Sequence, residues 1–177
     1  MIHFETKRTL ARDFVLDDFQ DLHDILSDPL VMEHAEPAYS EEQTLRFLED
    51  FCIAKQAGFA VVLKAENKVI GYVLFSDQLE KDVYEVGWFF NRRYWRQGFA
   101  YEALSDLFAY AFHQRHACKL FAETIDDVKS ASLMVKLGMS LENVQKQHVQ
   151  DHYGAWRDLY HFSLLREDYK MENDYEN

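Results

Sequence analysis

Three arginines, Arg92, Arg93 and Arg96, crowd a turn that ends in Gly98, in a chain whose formal net charge is −12. An apolar run from Tyr84 to Phe90 enters the turn and reads as a strand. Phe99-Ala100-Tyr101-Glu102-Ala103-Leu104 leaves it and reads as a helix. A glycine at such a junction lets a ligand come close to backbone, because no Cβ stands in the way. The first N–H groups of a helix have no intrahelical partner, and the helix dipole favours negative charge there. These residue types in this order specify a phosphate site in a sequence that otherwise repels phosphate. The competing reading of the arginines is a solvated turn.

The elements that must hold this turn follow from periodicity. Lys7 to Phe14 reads as an opening strand. Asp17 and Asp18 open a short helix with Phe19, Leu22, Ile25 and Leu26 at helical spacing, stopped by Asp28-Pro29. Ser40 starts a second helix, with Gln43 completing a capping box and Gly58 closing it. Phe59 to Ala65 and Val69 to Phe75 make a hairpin, and Tyr84–Phe90 follows as a third strand. The helix from Gly98 to about His113 has a broad apolar stripe. Lys119 to Ile125 reads as a strand, and Lys129 to Leu137 as a short helix ended by Gly138. Leu141–Val149 and Trp156–Leu165 form a closing hairpin on which Trp156, Tyr160 and Phe162 read as core packing. The order is β-α-α-β-β-β-α-β-α-β-β, a single mixed α/β domain over 1–169 followed by a polar tail, 170–177, that reads as frayed.

Bulk properties narrow the class. With 177 residues, 48% of them hydrophobic and 15% aromatic, the chain suits one sizeable core. No apolar run has the length of a signal peptide core or a membrane span. Cys52 and Cys118 lack metal-ligand spacing, which points to a reduced, cytoplasmic protein. The acidic balance argues against nucleic-acid binding and suits either a cationic partner or solubility alone. The 8 histidines form no HExxH or Cys/His cluster, so no metal site is expected and surface histidines are.

Three elements in order resemble the GNAT (Gcn5-related N-acetyltransferase) superfamily, and within it the RimJ/RimL type. The first is Glu85-Val86-Gly87-Trp88 followed by Tyr94-Trp95-Arg96-Gln97-Gly98-Phe99-Ala100-Tyr101-Glu102-Ala103. It is similar to the family's Q/R-x-x-G-x-G/A pyrophosphate loop, with Trp95 at the Q/R position. The second is Lys129-Ser130-Ala131-Ser132 leading to Lys136-Leu137-Gly138-Met139, with Lys129 where the family has asparagine. The third is the hairpin segment Gly154-Ala155-Trp156-Arg157-Asp158.

The resemblance implies a mixed, mostly antiparallel sheet with helices on both faces and a central pair of parallel strands that splay apart. Acetyl-CoA would lie in that gap as co-substrate. Its pantetheine arm would run along Trp88, Phe89 and Phe90, and its pyrophosphate would meet Arg96, Gln97, Gly98, Phe99, Ala100 and Tyr101, with Lys129 nearby. The reaction implied is acetyl transfer to a primary amine, either a protein N-terminus or a small cationic amine, by a monomer or homodimer. Direct attack needs a neutral amine, whereas an alkylammonium has a pKa of about 10.4 and an α-amine of about 7.7–8.0. Glu85 is then the candidate general base, directly or through water, or else a structural carboxylate. Backbone N–H groups near Trp88–Phe90 would meet the oxyanion. No tyrosine lies between Ser130 and Met139, where the family often keeps its acid, so Ser132 is the candidate substitute or simply a helix cap. A non-catalytic acyl-CoA sensor on the same fold is the alternative function.

Overall fold

The computed structural model describes residues 1–169, so the expected frayed tail lies outside the described residues. Eight strands form one sheet: β1 Ile2–Glu5, β2 Thr9–Arg12, β3 Gly58–Leu63, β4 Lys68–Asp77, β5 Val83–Phe90, β6 Lys119–Thr124, β7 Ser140–Gln150 and β8 Trp156–Leu165. The helices are α1 Phe19–Leu26, α2 Glu41–Arg46, α3 Phe99–Ala109 and α4 Lys129–Lys136. α2 runs on as a wider, π-helical Phe47–Ala54, and α3 as Tyr110–Gln114. The strand order is β1-β2-β3-β4-β5-β6-β8-β7, and every neighbouring pair is antiparallel except β5 and β6.

Two apolar layers cover the sheet. Leu22, Ile25 and Leu26 of α1, with Leu48 and Cys52 beyond α2, pack on Ala60, Val62, Val69 and Tyr72. Ala103, Leu104, Leu107 and Phe108 of α3, with Met134 of α4, pack with Val61, Ile70, Val86 and Leu120 in the other. The expected capping box is present at Ser40, whose Oγ accepts from Gln43 N at 3.2 Å while Gln43 Oε1 accepts from Ser40 N at 2.8 Å.

The structure corrects three local expectations. The expected opening strand, Lys7 to Phe14, is the shorter β2, Thr9–Arg12, and an unexpected strand, β1, precedes it; the Thr6 hydroxyl accepts from the N–H groups of Arg8 (3.1 Å) and Thr9 (2.9 Å) and turns the chain between the two. Gly58 does not close the second helix, which ends at Ala54; the left-handed residue after it is Gln56, at φ +52°. Gly58 instead begins β3, where an added Cβ would lie 2.5 Å from the Val73 carbonyl oxygen. Finally, Phe162 is core and Tyr160 half-buried, but Trp156 is 57% exposed. β6 pairs with β8 only as far as Thr124↔Tyr160, so the hairpin tip has no third strand to cover it.

Candidate active site

β5 and β6 pair at three positions only, Val83↔Lys119, Tyr84↔Leu120 and Glu85↔Phe121. Beyond Glu85 they part. β5 keeps β4 on one side up to Gly71↔Phe90, and β6 keeps β8 up to Thr124, so each stays supported while the gap between them opens. The gap leads into a cavity of about 800 Å³ whose walls include Glu85, Val86, Gly87, Trp88, Phe89 and Phe90 of β5, and Glu123 and Thr124 of β6. Strand backbone that has lost its partner on one edge still carries N–H and C=O groups needing partners, so an extended ligand with amide groups can supply them.

At the far end of β5 the chain turns through Arg92–Tyr94 into α3. Trp95 ties the turn to the strand by donating from Nε1 to the Phe90 carbonyl at 2.8 Å. Arg96 and Gly98 are both left-handed, at φ +58° and +82°. Such turns gather successive N–H groups into an anion-binding concavity. α3 starts at Gly98 with no side chain capping it, and its first internal bond runs from Glu102 N to the Gly98 carbonyl at 3.0 Å. The N–H groups of Phe99, Ala100 and Tyr101 precede that bond, and Arg96, Gly98, Phe99, Ala100 and Tyr101 all line the cavity.

The second helix that borders the cavity behaves differently. The Asp126 carboxylate accepts from the N–H groups of Val128 (3.0 Å), Lys129 (3.1 Å) and Ser130 (3.2 Å), so the α4 N-terminus already holds an anion. Burial works against ionisation of Asp126, but these backbone hydrogen bonds outweigh it and keep its pKa below the usual carboxylate range. Of the two helix starts, the α3 end is the one left without a side-chain acceptor of its own.

The expected site residues do not all converge. Glu85 lines the cavity where the strands separate, half-buried, with Gln78 Nε2 3.5 Å from Oε2. Burial raises its pKa above the usual range, and the charge of Glu123 adds to the rise. Lys129 lines the cavity, its Nζ 5.7 Å from the Trp95 ring centroid. Ser132 does not line it: the residue is exposed on α4 and its hydroxyl donates to the Val128 carbonyl. Asp126, not Ser132, caps that helix. Gln97 lies outside the cavity lining and donates from Nε2 to the Arg93 carbonyl at 3.0 Å. Arg92 is paired with Asp28 at 2.8 Å, which leaves Arg96 as the arginine of the turn that lines the cavity.

Four residues to which the sequence assigns no role shape the candidate site. Trp95 and Asp126 act through the contacts above. Tyr72 of β4 lines the cavity with its hydroxyl buried and without a hydrogen-bond partner, a group whose pKa burial raises. Arg8, from the turn before β2, reaches the loop and donates from Nη1 to the Gln97 carbonyl at 3.0 Å. Its carboxylate partner, Glu102, lies 94 positions away, and no signal in the sequence joins the two. Among the described residues, no group of three or more His, Cys, Asp or Glu gathers to hold a metal ion, and no helix is long and apolar enough to cross a membrane.

A family model described as an acetyltransferase (GNAT) domain matches residues 8–140. The chain is similar to the uncharacterized N-acetyltransferase YnaD of Bacillus subtilis (strain 168), 29% identical over 170 residues that cover 95% of this chain and 99% of the relative. A GNAT-family acetyltransferase from Bacillus anthracis has a similar structure, with a TM-score of 0.86 at 29% identity over 94% of this chain and 99% of that one. RimL, a ribosomal L7/L12 alpha-N-protein acetyltransferase solved in complex with coenzyme A, shares the fold at a TM-score of 0.81 and 14% identity, over 93% and 98% of the two chains. With its splayed parallel strands, its uncapped α3 and a family match over most of its length, this chain belongs to the GNAT acetyltransferases.

Proposed function

We propose that the protein transfers the acetyl group of acetyl-CoA to a primary amine by direct attack in a ternary complex. The observation that carries this reading is the parting of β5 and β6 just after Glu85, in a gap that ends at the uncapped start of α3. In this reading the diphosphate meets the N–H groups from Arg96 to Tyr101 under the Arg96 charge, where Gly98, left-handed and without a Cβ, leaves the backbone open to close approach. The pantetheine arm pairs with the free edge of β5 near Trp88, Phe89 and Phe90, and Lys129 adds positive charge from the opposite wall.

Glu85 takes the proton that the amine must lose, directly or through water. An ordinary carboxylate is a weak acceptor for an ammonium proton. Burial beside Glu123 raises the pKa of Glu85 and so narrows the mismatch. Backbone N–H groups near Trp88–Phe90 meet the developing oxyanion. The Ser132 hydroxyl is engaged with the Val128 carbonyl and lies outside the cavity lining, so Ser132 is not assigned as the acid, and the thiolate does not require one to leave. That is workable for a thiol whose pKa, by analogy with cysteine, is about 8.5.

The acceptor is a primary amine that tolerates acidic surroundings. Glu33, Glu36, Glu85 and Glu123 line the cavity, against Arg96 and Lys129 at the loop end. A protein N-terminus and a small cationic amine both satisfy this, and the RimL likeness makes ribosomal-protein N-terminal peptides a sensible part of a screen. Thiol release from acetyl-CoA, measured against N-terminal peptides, polyamines and aminoglycosides, tests the reading. Acetylation of one class supports it. CoA binding with no acetylation across the panel would favour an acyl-CoA sensor instead.

A further inference from the structure

We propose that Arg8 is a positioning residue that holds the diphosphate loop in its anion-binding shape, an inference that rests on the CoA reading above. Arg8 stands in the turn between β1 and β2 and takes no place in the cavity wall. It lines a separate depression with Gln97 and Phe99. Its guanidinium grips α3 and the loop together. Nε donates to Glu102 Oε2 at 2.7 Å, Nη2 lies 2.7 Å from the same oxygen, and Nη1 donates to the Gln97 carbonyl at 3.0 Å. The guanidinium also lies 4.1 Å from the centroid of the Phe99 ring.

The grip on Gln97 matters because of peptide geometry. In a trans peptide the C=O and the following N–H point in opposite directions. A Gln97 carbonyl fixed on Arg8 therefore turns the Gly98 N–H away from Arg8. Left-handed backbone is unfavourable for a residue with a Cβ, so Arg96 at φ +58° needs an outside hold to stay there. The bond from Arg8 to the next residue's carbonyl is such a hold.

Charge gives Arg8 a second task. Glu102 lies in the first turn of α3, beside the N–H groups that a diphosphate would use. Burial disfavours its ionisation, but hydrogen bonds from the Thr6 hydroxyl and then from Arg8 outweigh this and lower its pKa. It is thus a carboxylate at neutral pH, and its repulsion of an incoming anion is offset by Arg8.

The test is Arg8→Lys, which keeps the charge but loses the planar fork that spans Glu102 and Gln97. Calorimetry with CoA should show affinity weakened about tenfold, the worth of roughly one charge-assisted hydrogen bond. The chain has 6 glycines, so ¹⁵N-glycine labelling resolves Gly98 directly. In ligand-free Arg8→Lys the Gly98 amide should move while Gly71 and Gly87 hold. Glu102→Gln is the companion variant. It keeps the Gln97 bond and removes a negative charge, so it should bind CoA at least as well as wild type even if it melts lower. CoA affinity in Arg8→Lys within about twofold of wild type, with an unmoved Gly98 amide, would overturn the proposal and leave the CoA reading intact. Equal weakening in Glu102→Gln would also overturn it, by reducing Arg8 to a structural ion pair. A wild type that fails to bind CoA would instead remove the reading on which it rests.

Discussion

Replacing Gly98 with valine sets backbone strain directly against ligand binding. Gly98 sits at φ +82° and ψ 2°, in the left-handed region. An L-residue there costs about 1–2 kcal/mol, and a β-branched one lies toward the upper end. Crowding within the protein is a small obstacle, since the nearest atom to an added Cβ beyond the chain neighbours is Arg8 Nη2 at 3.4 Å, at the edge of ordinary contact. The strain therefore has two outlets. If the loop keeps its shape, stability falls by that amount, which for a chain of this size lowers the thermal midpoint by about 2–8 °C. If the loop relaxes, the N–H groups turn away and CoA affinity falls by about 5- to 30-fold, with the valine side chain obstructing backbone approach besides. We expect mainly the second outlet, because ligand-free N–H groups at the end of α3 lose little by reorienting toward water. Calorimetry with CoA and a thermal melt followed by circular dichroism measure the two. Gly98→Ala carries most of the strain with little bulk and separates the two effects. Wild-type affinity together with an unchanged midpoint in Gly98→Val would refute the reasoning.

Other consequences are equally direct. Glu85→Gln should keep CoA affinity while turnover falls about 10²–10⁴-fold, as seen by comparing a binding titration with thiol release. Glu85 has a raised pKa in the folded state, so its ionisation penalises folding, a penalty absent below the unfolded pKa and complete above the folded one. The glutamine variant should accordingly melt no lower than wild type at neutral pH; a marked loss there would contradict the burial argument. Asp126→Ala removes the α4 cap and should lower stability by about 1 kcal/mol in a denaturant titration. Because the folded pKa of Asp126 is depressed, that difference should be full above the unfolded pKa and shrink as pH falls through the folded one. Gly58→Ala forces a Cβ to within 2.5 Å of a backbone oxygen in β4, and should cost about 1–3 kcal/mol by the same titration without altering CoA binding per folded molecule.

What could be read from the sequence was local. The strand–turn–helix around Gly98, the capping box at Ser40 and Gln43, and the α3 stripe all depend on residues within a few positions of each other, and all are present. What resisted reading depended on residues far apart. The Arg8 grip on Glu102 and Gln97 joins the first turn of the chain to its middle, and no periodicity marks it. β1 was overlooked because the turn that separates it from β2 is made by a threonine hydroxyl rather than by glycine or proline. The exposure of Trp156 follows from where β6 stops, not from the alternation of β8 itself. The α4 cap was placed on the wrong kind of residue: Ser132 stood in the resembling motif, while Asp126 reaches the helix start from the loop after β6. The site is thus legible as a loop and a strand, and illegible as the set of distant side chains that hold the loop in shape.

The central claim is that the gap between β5 and β6 holds the acetyl donor, and a crystal structure of the protein grown with CoA tests it most directly. The expected ligand density has its diphosphate on the N–H groups between Arg96 and Tyr101 and its pantetheine arm along β5 past Trp88 toward Glu85. CoA bound elsewhere, or a gap left unoccupied at saturating CoA, would contradict it.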